Sequence, residues 1–260
     1  MIDWLHDLPP FVGAVIVCAS FVVPTLIGSA VLQPAVARLL RGEREANAAV
    51  GLLLSAFTLY FAVLLALLSV AVYENYGRAQ DTIGREASSI ITLYRDFSGY
   101  PEPQRTALRD ALRQYVEEEA GPGWREQERG QVSDRGTLLV DELDNRLTSF
   151  RPDPTGQDLL HREALRTFDE FIDRRRARIQ ASRTSVPPVM WYVVILGAVL
   201  NVLVLWLFDL TRTTHFILGG VLTLFIGVVI YMVAVLDQPF RGVHGLEPVD
   251  LLEVRQQMKP

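Results

Sequence analysis

Four uninterrupted apolar stretches constrain the fold of this chain more than any other feature of its sequence. They cover about residues 11–32, 48–73, 189–209 and 216–236, and only Asp209, at the edge of the third stretch, is charged. A helix rises about 1.5 Å per residue and a bilayer core is about 30 Å thick, so about 20 helical residues cross it. The sequence therefore predicts an integral membrane protein with four transmembrane helices in a lipid bilayer.

The charged residues are concentrated between the second and third apolar stretches. Residues 74–186 contain 18 arginines and 21 acidic residues, with the two signs interspersed. This distribution is typical of a solvated helical surface, so we expect no nucleic-acid partner. Apolar residues recur there at spacings of three and four, which predicts helices and an all-α fold. We expect two spans in residues 1–73, a soluble helical domain in 74–186, two more spans in 187–236 and a tail in 237–260.

Glycine and proline divide the soluble domain into four predicted helices. The first ends at Gly99 and Pro101, the second at about residues 121–123, and the third, for which Ser133 is a candidate N-cap, at about 150. The fourth covers about residues 155–184. No proline occurs between Ala48 and Phe97, so we expect one helix of about 75 Å that begins in the membrane and continues into water.

The second span carries a stripe of small and polar side chains beside a stripe of large apolar ones. Small residues on a transmembrane helix either line a water-filled pore, in which a Phe or Leu side chain can form the constriction, or let neighbouring helices approach closely. The candidate pore-lining residues are Ser55, Thr58, Phe61, Leu65, Ser69 and Tyr73.

Charged residues beside the spans are candidates for a pore mouth. They are Glu74, Glu86, Arg174, Arg175 and Arg176. Arginines at this position would either concentrate anions or contact anionic lipid head groups. The glutamates would either influence ion selectivity or form structural ion pairs with nearby arginines.

The sequence lacks the signatures of an enzyme, a metal site or a cofactor site. Its four histidines are scattered without the spacing of metal ligands, and it has no P-loop, dinucleotide-binding turn or nucleophile elbow. Cys18, the single cysteine, cannot form an intramolecular disulfide. We expect no catalytic residues, no metal and no cofactor.

Five short sequences, taken in order, carry a resemblance to a known family. They are Asn47 ahead of the second span, YENYGRA at its exit, GREASSI shortly afterwards, PP.MW at the start of the third span and LDQPFRG after the fourth. Together they resemble a bacterial and plant family of membrane proteins described as bestrophin-like, which is distantly similar to the bestrophin anion channels. The family-motif positions in this chain are Asn47, Asp237, Pro239, Phe240 and Gly242.

The resemblance implies a homo-oligomeric channel, with the bestrophin pentamer as a precedent. It also implies a second span that lines the pore, and small inorganic anions such as chloride as the permeant species. Here Pro239 and Phe240 are followed by Arg241 and Gly242 instead of the acidic cluster of animal bestrophins. Calcium gating is therefore not implied.

The sequence gives conflicting indications of sidedness. Arg38, Arg41 and Arg44 favour a cytoplasmic location for the short loop 33–47, which would place the soluble domain outside the cell. Arg241 and Arg255 in the tail, together with the bestrophin resemblance, favour the opposite orientation. We expect a plasma-membrane protein whose soluble domain is cytoplasmic.

Two functions from different classes agree with the sequence. The first is a homo-oligomeric, anion-permeable channel, which should form a stable ring in detergent and change its conductance when Phe61 or Leu65 is replaced by alanine. The second is a non-conducting membrane scaffold or signalling module whose soluble helices bind a partner protein. A scaffold would be monomeric or dimeric and electrically silent.

Overall fold

The computed structural model of the chain describes residues 3–6, 8–39, 44–153, 156–208, 210–243 and 245–259. Within these ranges the protein is helical and has no strands, as the sequence predicts. The helices are α1 (Asp3–His6), α2 (Pro10–Leu39), α3 (Arg44–Asp96), α4 (Gln104–Glu119), α5 (Pro122–Glu128), α6 (Asp134–Ser149), α7 (Gln157–Arg183), α8 (Pro188–Trp206), α9 (Arg212–Leu236) and α10 (Val249–Gln257).

Within the described ranges, four helices contain stretches long and apolar enough to cross a membrane. They are α2, the first half of α3, α8 and α9. Helix α8 ends at Trp206, and Asp209, at the edge of the predicted third span, lies outside the described residues, as does Arg41 of the loop used to predict sidedness.

Helix α3 is the longest element of the protein. It runs without interruption for 53 residues, which corresponds to about 80 Å. A short 3-10 helix at Phe97–Gly99 and the extended residue Tyr100 end it immediately before Pro101. The predicted helix that continues past the apolar stretch is therefore present.

The described chain forms two compact units, of which the first contains Met1–Glu74 and Ser185–Asp237. Its apolar core brings together buried side chains of α3, α8 and α9, including Phe61, Trp191 and Ile230. Helices α2 and α9 make the most extensive contact. A Cβ atom at Gly227 of α9 would lie 2.9 Å from Cys18 Cα, so the glycine permits close approach of the two helix backbones.

The second unit contains Asn75–Thr184 and Gln238–Pro260. Fully buried side chains from the second half of α3 and from α4, α6 and α7 form its core, among them Ile90, Leu112 and Phe171. The C-terminal segment is more than the predicted tail, because α10 packs on α4 and buries Leu251 and Val254 in this core.

Local sequence explains two helix starts in the second unit. Ser133 caps α6 as predicted, because its Oγ accepts a hydrogen bond from Gly136 N at 3.0 Å. Residues 121–123 predict only a break, whereas the structure starts the additional helix α5 at Pro122. Proline suits this first position because the missing N–H has no partner within the helix there.

Candidate functional site

One face of the membrane half of α3 packs inside the subunit. Phe61 and Leu65 are each 6% exposed and belong to the same core as side chains of α8 and α9. The ring of Phe61 lies over Gly197 of α8, since a Cβ atom there would come within 2.6 Å of Phe61 Cδ2. These two candidates for the pore lining therefore have their contacts within the subunit.

Thr58 also faces α8. Its hydroxyl donates a hydrogen bond to Asn201 Oδ1 at 2.8 Å, and Asn201 Nδ2 donates to Gly197 O at 2.9 Å. The pair satisfies two polar side chains in an apolar region, as interhelical hydrogen bonds do in membranes. Thr58, a third candidate for the pore lining, is therefore used between α3 and α8.

A different face of α3 remains available to the surroundings. It consists of small and polar side chains that are exposed or, for Ser69, half-buried: Ser55, Ala62, Ala66, Ser69 and Tyr73. The hydroxyls of Ser55 and Ser69 donate to helix carbonyls four residues earlier, at 2.8 and 2.7 Å, and so present acceptor lone pairs outward. Tyr73 is 70% exposed. We call this set the exposed stripe of α3.

The second half of α3 carries Glu86, which is fully buried. Its carboxylate accepts hydrogen bonds from Arg178 Nε, from Arg178 Nη2 at 3.2 Å and from the Tyr115 hydroxyl at 2.5 Å. Arg178 also donates to Glu119 Oε2 at 2.7 Å and to Gln127 Oε1. These five side chains, from α3, α4, α5 and α7, form a buried charge network in the second unit.

Electrostatic interactions within the network stabilise the guanidinium of Arg178. Burial disfavours the guanidinium of Arg178, but the carboxylates of Glu86 and Glu119 outweigh burial and raise the pKa of Arg178 above its ordinary value. Burial, reinforced by Glu86, likewise raises the pKa of Tyr115, so its hydroxyl stays protonated and can donate. The guanidinium carbon of Arg178 also lies 5.9 Å from the Trp124 ring.

Arg175 extends the network towards α6. Its Nη2 lies 3.7 Å from Glu119 Oε1 and donates to Thr137 Oγ1 at 3.1 Å. Arg175 and Arg178 continue the buried stripe of α7 at spacings of three and four, and this spacing is the sequence signal that distinguishes them from their exposed neighbours. Both Arg175 and Glu86, which are candidates for a pore mouth, are buried within the second unit.

The other three pore-mouth candidates present their charges to solvent. Glu74 is exposed on α3. Arg176 pairs with Asp173 at 3.7 Å, and both side chains are at least 75% exposed. Arg174 is exposed and lines two cavities.

Replacement of Gly136 tests how tightly the buried network is packed. A Cβ atom there would lie 2.2 Å from Glu119 Oε1. Because Arg178 holds that carboxylate, we expect Gly136→Ala to lower the free energy of unfolding by roughly 1–3 kcal/mol. Gly77→Ala, with nothing within 4 Å of the new Cβ, is the control and should raise it by about 0.5–1 kcal/mol. Urea titration in detergent measures both, and unchanged stability for Gly136→Ala would contradict the packing.

Asp237 joins two of the short sequence motifs. Its carboxylate accepts hydrogen bonds from Val186 N at 2.5 Å and from Trp191 Nε1 at 3.4 Å, at the start of α8. Burial raises the pKa of the Asp237 carboxyl, although these hydrogen bonds act in the opposite direction. Within the first unit, Asp237 of the LDQPFRG sequence thus contacts Trp191 of the PP.MW sequence.

The remaining motif positions lie in turns, cores and helix ends. Pro239 lies in the turn after α9, and Phe240 is buried against the ring of Trp124 with the centroids 5.6 Å apart. Gly242 has a φ of 74°, a conformation that favours glycine. Asn47 is half-buried in the first turn of α3.

Among the described residues, no group of three His, Cys, Asp or Glu side chains could hold a metal ion.

Long apolar helices joined to a charged helical unit define an all-helical integral membrane protein. The chain matches the bestrophin-like domain over residues 19–251, and it belongs to the bestrophin-like family. This confirms the resemblance seen in the short motifs. No protein of curated function matches the chain.

Solved structures share this fold. A variant of a bacterial bestrophin homologue from Klebsiella pneumoniae has a TM-score of 0.68 and 14% sequence identity, covering 91% of this chain and 96% of that chain. A second variant of that homologue has a TM-score of 0.66 and 14% identity, with coverages of 93% and 97%. A structure described as a membrane protein has a TM-score of 0.64 and 14% identity, also with coverages of 93% and 97%.

Proposed function

We propose that the chain forms a homo-oligomeric, anion-permeable channel in which α3 lines the pore. In this arrangement α2, the first half of α3, α8 and α9 cross the bilayer, and the second half of α3 together with α4–α7 forms the soluble domain. Membership of the bestrophin-like family and the common fold with bestrophin homologues, which are oligomeric membrane channels, support the proposal. A pentamer is the stoichiometry we propose on the bestrophin precedent.

The observation that carries the proposal is the exposed stripe of α3. The same helix buries Phe61 and Leu65 within its own chain. On the face of the stripe it leaves small and polar side chains uncovered, whereas the neighbouring exposed faces carry large apolar groups such as Val63 and Leu67. An ordinary lipid-facing surface would carry large apolar groups, whereas small residues suit close helix approach or a water-filled path. In copies of α3 arranged around an axis, the stripe would both let neighbouring helices approach closely and line the water-filled path between them.

The packing within the subunit revises the proposed pore lining. Phe61, Leu65 and Thr58 make contacts with α8 or the core, so we no longer place them in the pore. Ser55, Ser69 and Tyr73 remain, joined by Ala62 and Ala66.

Leu59 is a candidate for the pore constriction. It is 63% exposed and lies four residues after Ser55, on the same face of α3. A ring of leucine side chains, one from each copy, would form an apolar constriction that gates by dewetting.

The exposed charges support anions as the permeant species. Arg174 and Arg176 are solvent-exposed arginines of the second unit, and a symmetric assembly multiplies their number. Clustered positive charge raises the local concentration of anions. We further propose the plasma membrane as the location and the cytoplasm as the side of the soluble domain.

Chloride flux combined with oligomeric mass tests the proposed function. The full-length protein is purified in detergent, its mass is determined by light scattering, and it is reconstituted into chloride-loaded liposomes. We expect a single oligomer and chloride efflux that increases with the amount of protein. A monomer or dimer without efflux would contradict the channel and favour the scaffold.

A further inference from the structure

Several exposed arginines of the second unit, among them Arg85, Arg95, Arg174 and Arg183, make no ion pair with a described residue. Arg85 on α3 and Arg174 on α7 are exposed, and neither makes a hydrogen bond or an ion pair with any described residue. By contrast, other exposed arginines of α7, namely Arg162, Arg166 and Arg176, pair with carboxylates on their own helix. The missing pairs leave the guanidinium groups of Arg85 and Arg174 available for an external anion.

Arg85 and Arg174 line the same cavity of about 260 Å³ between α3 and α7. Arg78, Asp81, Thr82 and Ala177 complete its described lining, which therefore contains three arginines and one aspartate. Arginine presents several N–H donors in a planar fork that matches the oxygens of phosphate. Because Asp81 can only accept hydrogen bonds when ionised, it favours an oxyanion that carries a proton, such as hydrogen phosphate, over sulfate.

A second cavity of about 730 Å³ shares Asp81, Arg85 and Arg174 with the first. Its other lining groups are mostly hydrogen-bond acceptors. The hydroxyls of Ser88, Ser89 and Thr92 donate to carbonyls of α3, and the carboxylates of Glu170 and Asp250 also line the cavity. A ligand with many hydroxyl donors complements such a surface.

We propose that these joined cavities bind a phosphorylated polyol. The phosphate lies against Arg85 and Arg174 in the smaller cavity, with Asp81 accepting a hydrogen bond from a protonated phosphate oxygen, and the hydroxyl groups fill the larger one. Their combined size is typical of a small-molecule site. The site is built from the second unit alone, and Arg174 is the residue that it shares with the arginines proposed to concentrate permeant anions.

The phosphate can come from a soluble ester or from an inositol lipid head group. Arg85 lies 12 residues beyond Tyr73, the predicted end of the span, which is about 18 Å along α3. The head-group layer of a bilayer is only about 5–8 Å thick on each side. Phosphates of ordinary phospholipids therefore do not reach Arg85, whereas a protruding phosphoinositol group or a soluble ester does.

Isothermal titration of the full-length protein in phosphate-free detergent buffer tests the site. The soluble probes are inositol monophosphate and inorganic phosphate, with sulfate and unphosphorylated inositol for comparison. We expect inositol monophosphate to bind most tightly. Arg85→Gln and Arg174→Gln should each weaken it about tenfold, since each removes charge-assisted hydrogen bonds. Arg85→Lys should restore affinity only in part, because lysine keeps the charge but not the planar fork.

Arg176→Gln is the matched control, since Arg176 is an exposed arginine of the same helix that lies outside the lining of this cavity. The affinity of Arg176→Gln for inositol monophosphate should equal that of the wild type.

For the lipid source, native mass spectrometry compares retention of a phosphatidylinositol phosphate in the same variants. The site is supported if Arg85→Gln and Arg174→Gln lose binding while Arg176→Gln keeps it. Whether the soluble ester or the lipid is the probe that is lost identifies the source of the phosphate. No binding by any probe, or equal binding by Arg176→Gln and the two site variants, overturns the proposed site. Neither result depends on chloride flux.

Discussion

Replacing Arg178 with methionine should lower the free energy of unfolding by roughly 3–5 kcal/mol, the largest effect we expect from a single substitution in this chain. The change leaves the carboxylate of Glu86 buried without its cation, leaves Glu119 with only the more distant Arg175, and removes the donor to Gln127 Oε1. Methionine fills most of the vacated volume, so the loss reports unpaired charge more than a cavity. Urea titration of the full-length protein in detergent measures it.

Two further variants separate charge burial from the loss of an arginine. Arg176→Met removes an exposed guanidinium whose ion pair is screened by water, and should change the unfolding free energy by less than about 0.5 kcal/mol. Adding Glu86→Gln to Arg178→Met removes the unpaired charge and should recover part of the loss. Similar losses for Arg178→Met and Arg176→Met would contradict the buried charge network.

Asp237→Ala should lower the free energy of unfolding by roughly 2–4 kcal/mol, because the N–H groups of Val186 and Trp191 lose their shared acceptor. Asp237→Asn keeps one carbonyl oxygen as an acceptor and should lose about half as much. Thermal unfolding of the purified protein ranks the variants.

Glu247→Ala provides the control for this comparison, since Glu247 is exposed and follows the same motif. It should melt within a degree or so of the wild type, as surface substitutions usually do. If Asp237→Ala and Glu247→Ala unfolded at the same midpoint temperature, the hydrogen bonds between the LDQPFRG and PP.MW sequences would not contribute to stability.

The sequence predicts helices well where hydrophobic periodicity extends over many residues. The apolar stretches and the absence of proline from Ala48 to Phe97 account for the long α3 and the other apolar helices. The short helices α5 and α10 are not predicted, because one turn or two of helix carry too little periodicity. Packing of Leu251 and Val254 in the core of the second unit, and not local propensity, stabilises α10.

The direction in which each face of α3 points could not be predicted from the sequence. In lipid both the packed face and the surrounding face tolerate apolar groups, so the pattern leaves the rotation of the helix about its axis undetermined. The Thr58–Asn201 hydrogen bond and the burial of Phe61 over Gly197 determine it in the structure. The pore-lining candidates therefore included residues from both faces.

The charge network could not be predicted either, because its partners are distant in sequence. Glu86 and Arg178 are separated by 92 residues, and nothing local selects Arg178 over the exposed arginines beside it except its place on the apolar stripe of α7. Charge counts alone assign such residues to the surface. Periodicity, applied to charged residues as well as to apolar ones, would have identified Arg175 and Arg178 as buried.

The most direct test of the account measures whether the exposed stripe of α3 faces water in a conducting protein. Ala66→Cys and Leu67→Cys are made in a Cys18→Ala background and reconstituted into chloride-loaded liposomes. Ala66 belongs to the stripe, whereas Leu67, 67% exposed, lies about 100° further around the helix. A membrane-impermeant, sulfonate-bearing thiol reagent should reduce chloride efflux through Ala66→Cys by more than about tenfold and leave Leu67→Cys unchanged. Efflux that is insensitive at Ala66→Cys, or that is blocked only at Leu67→Cys, would contradict a pore lined by this face of α3.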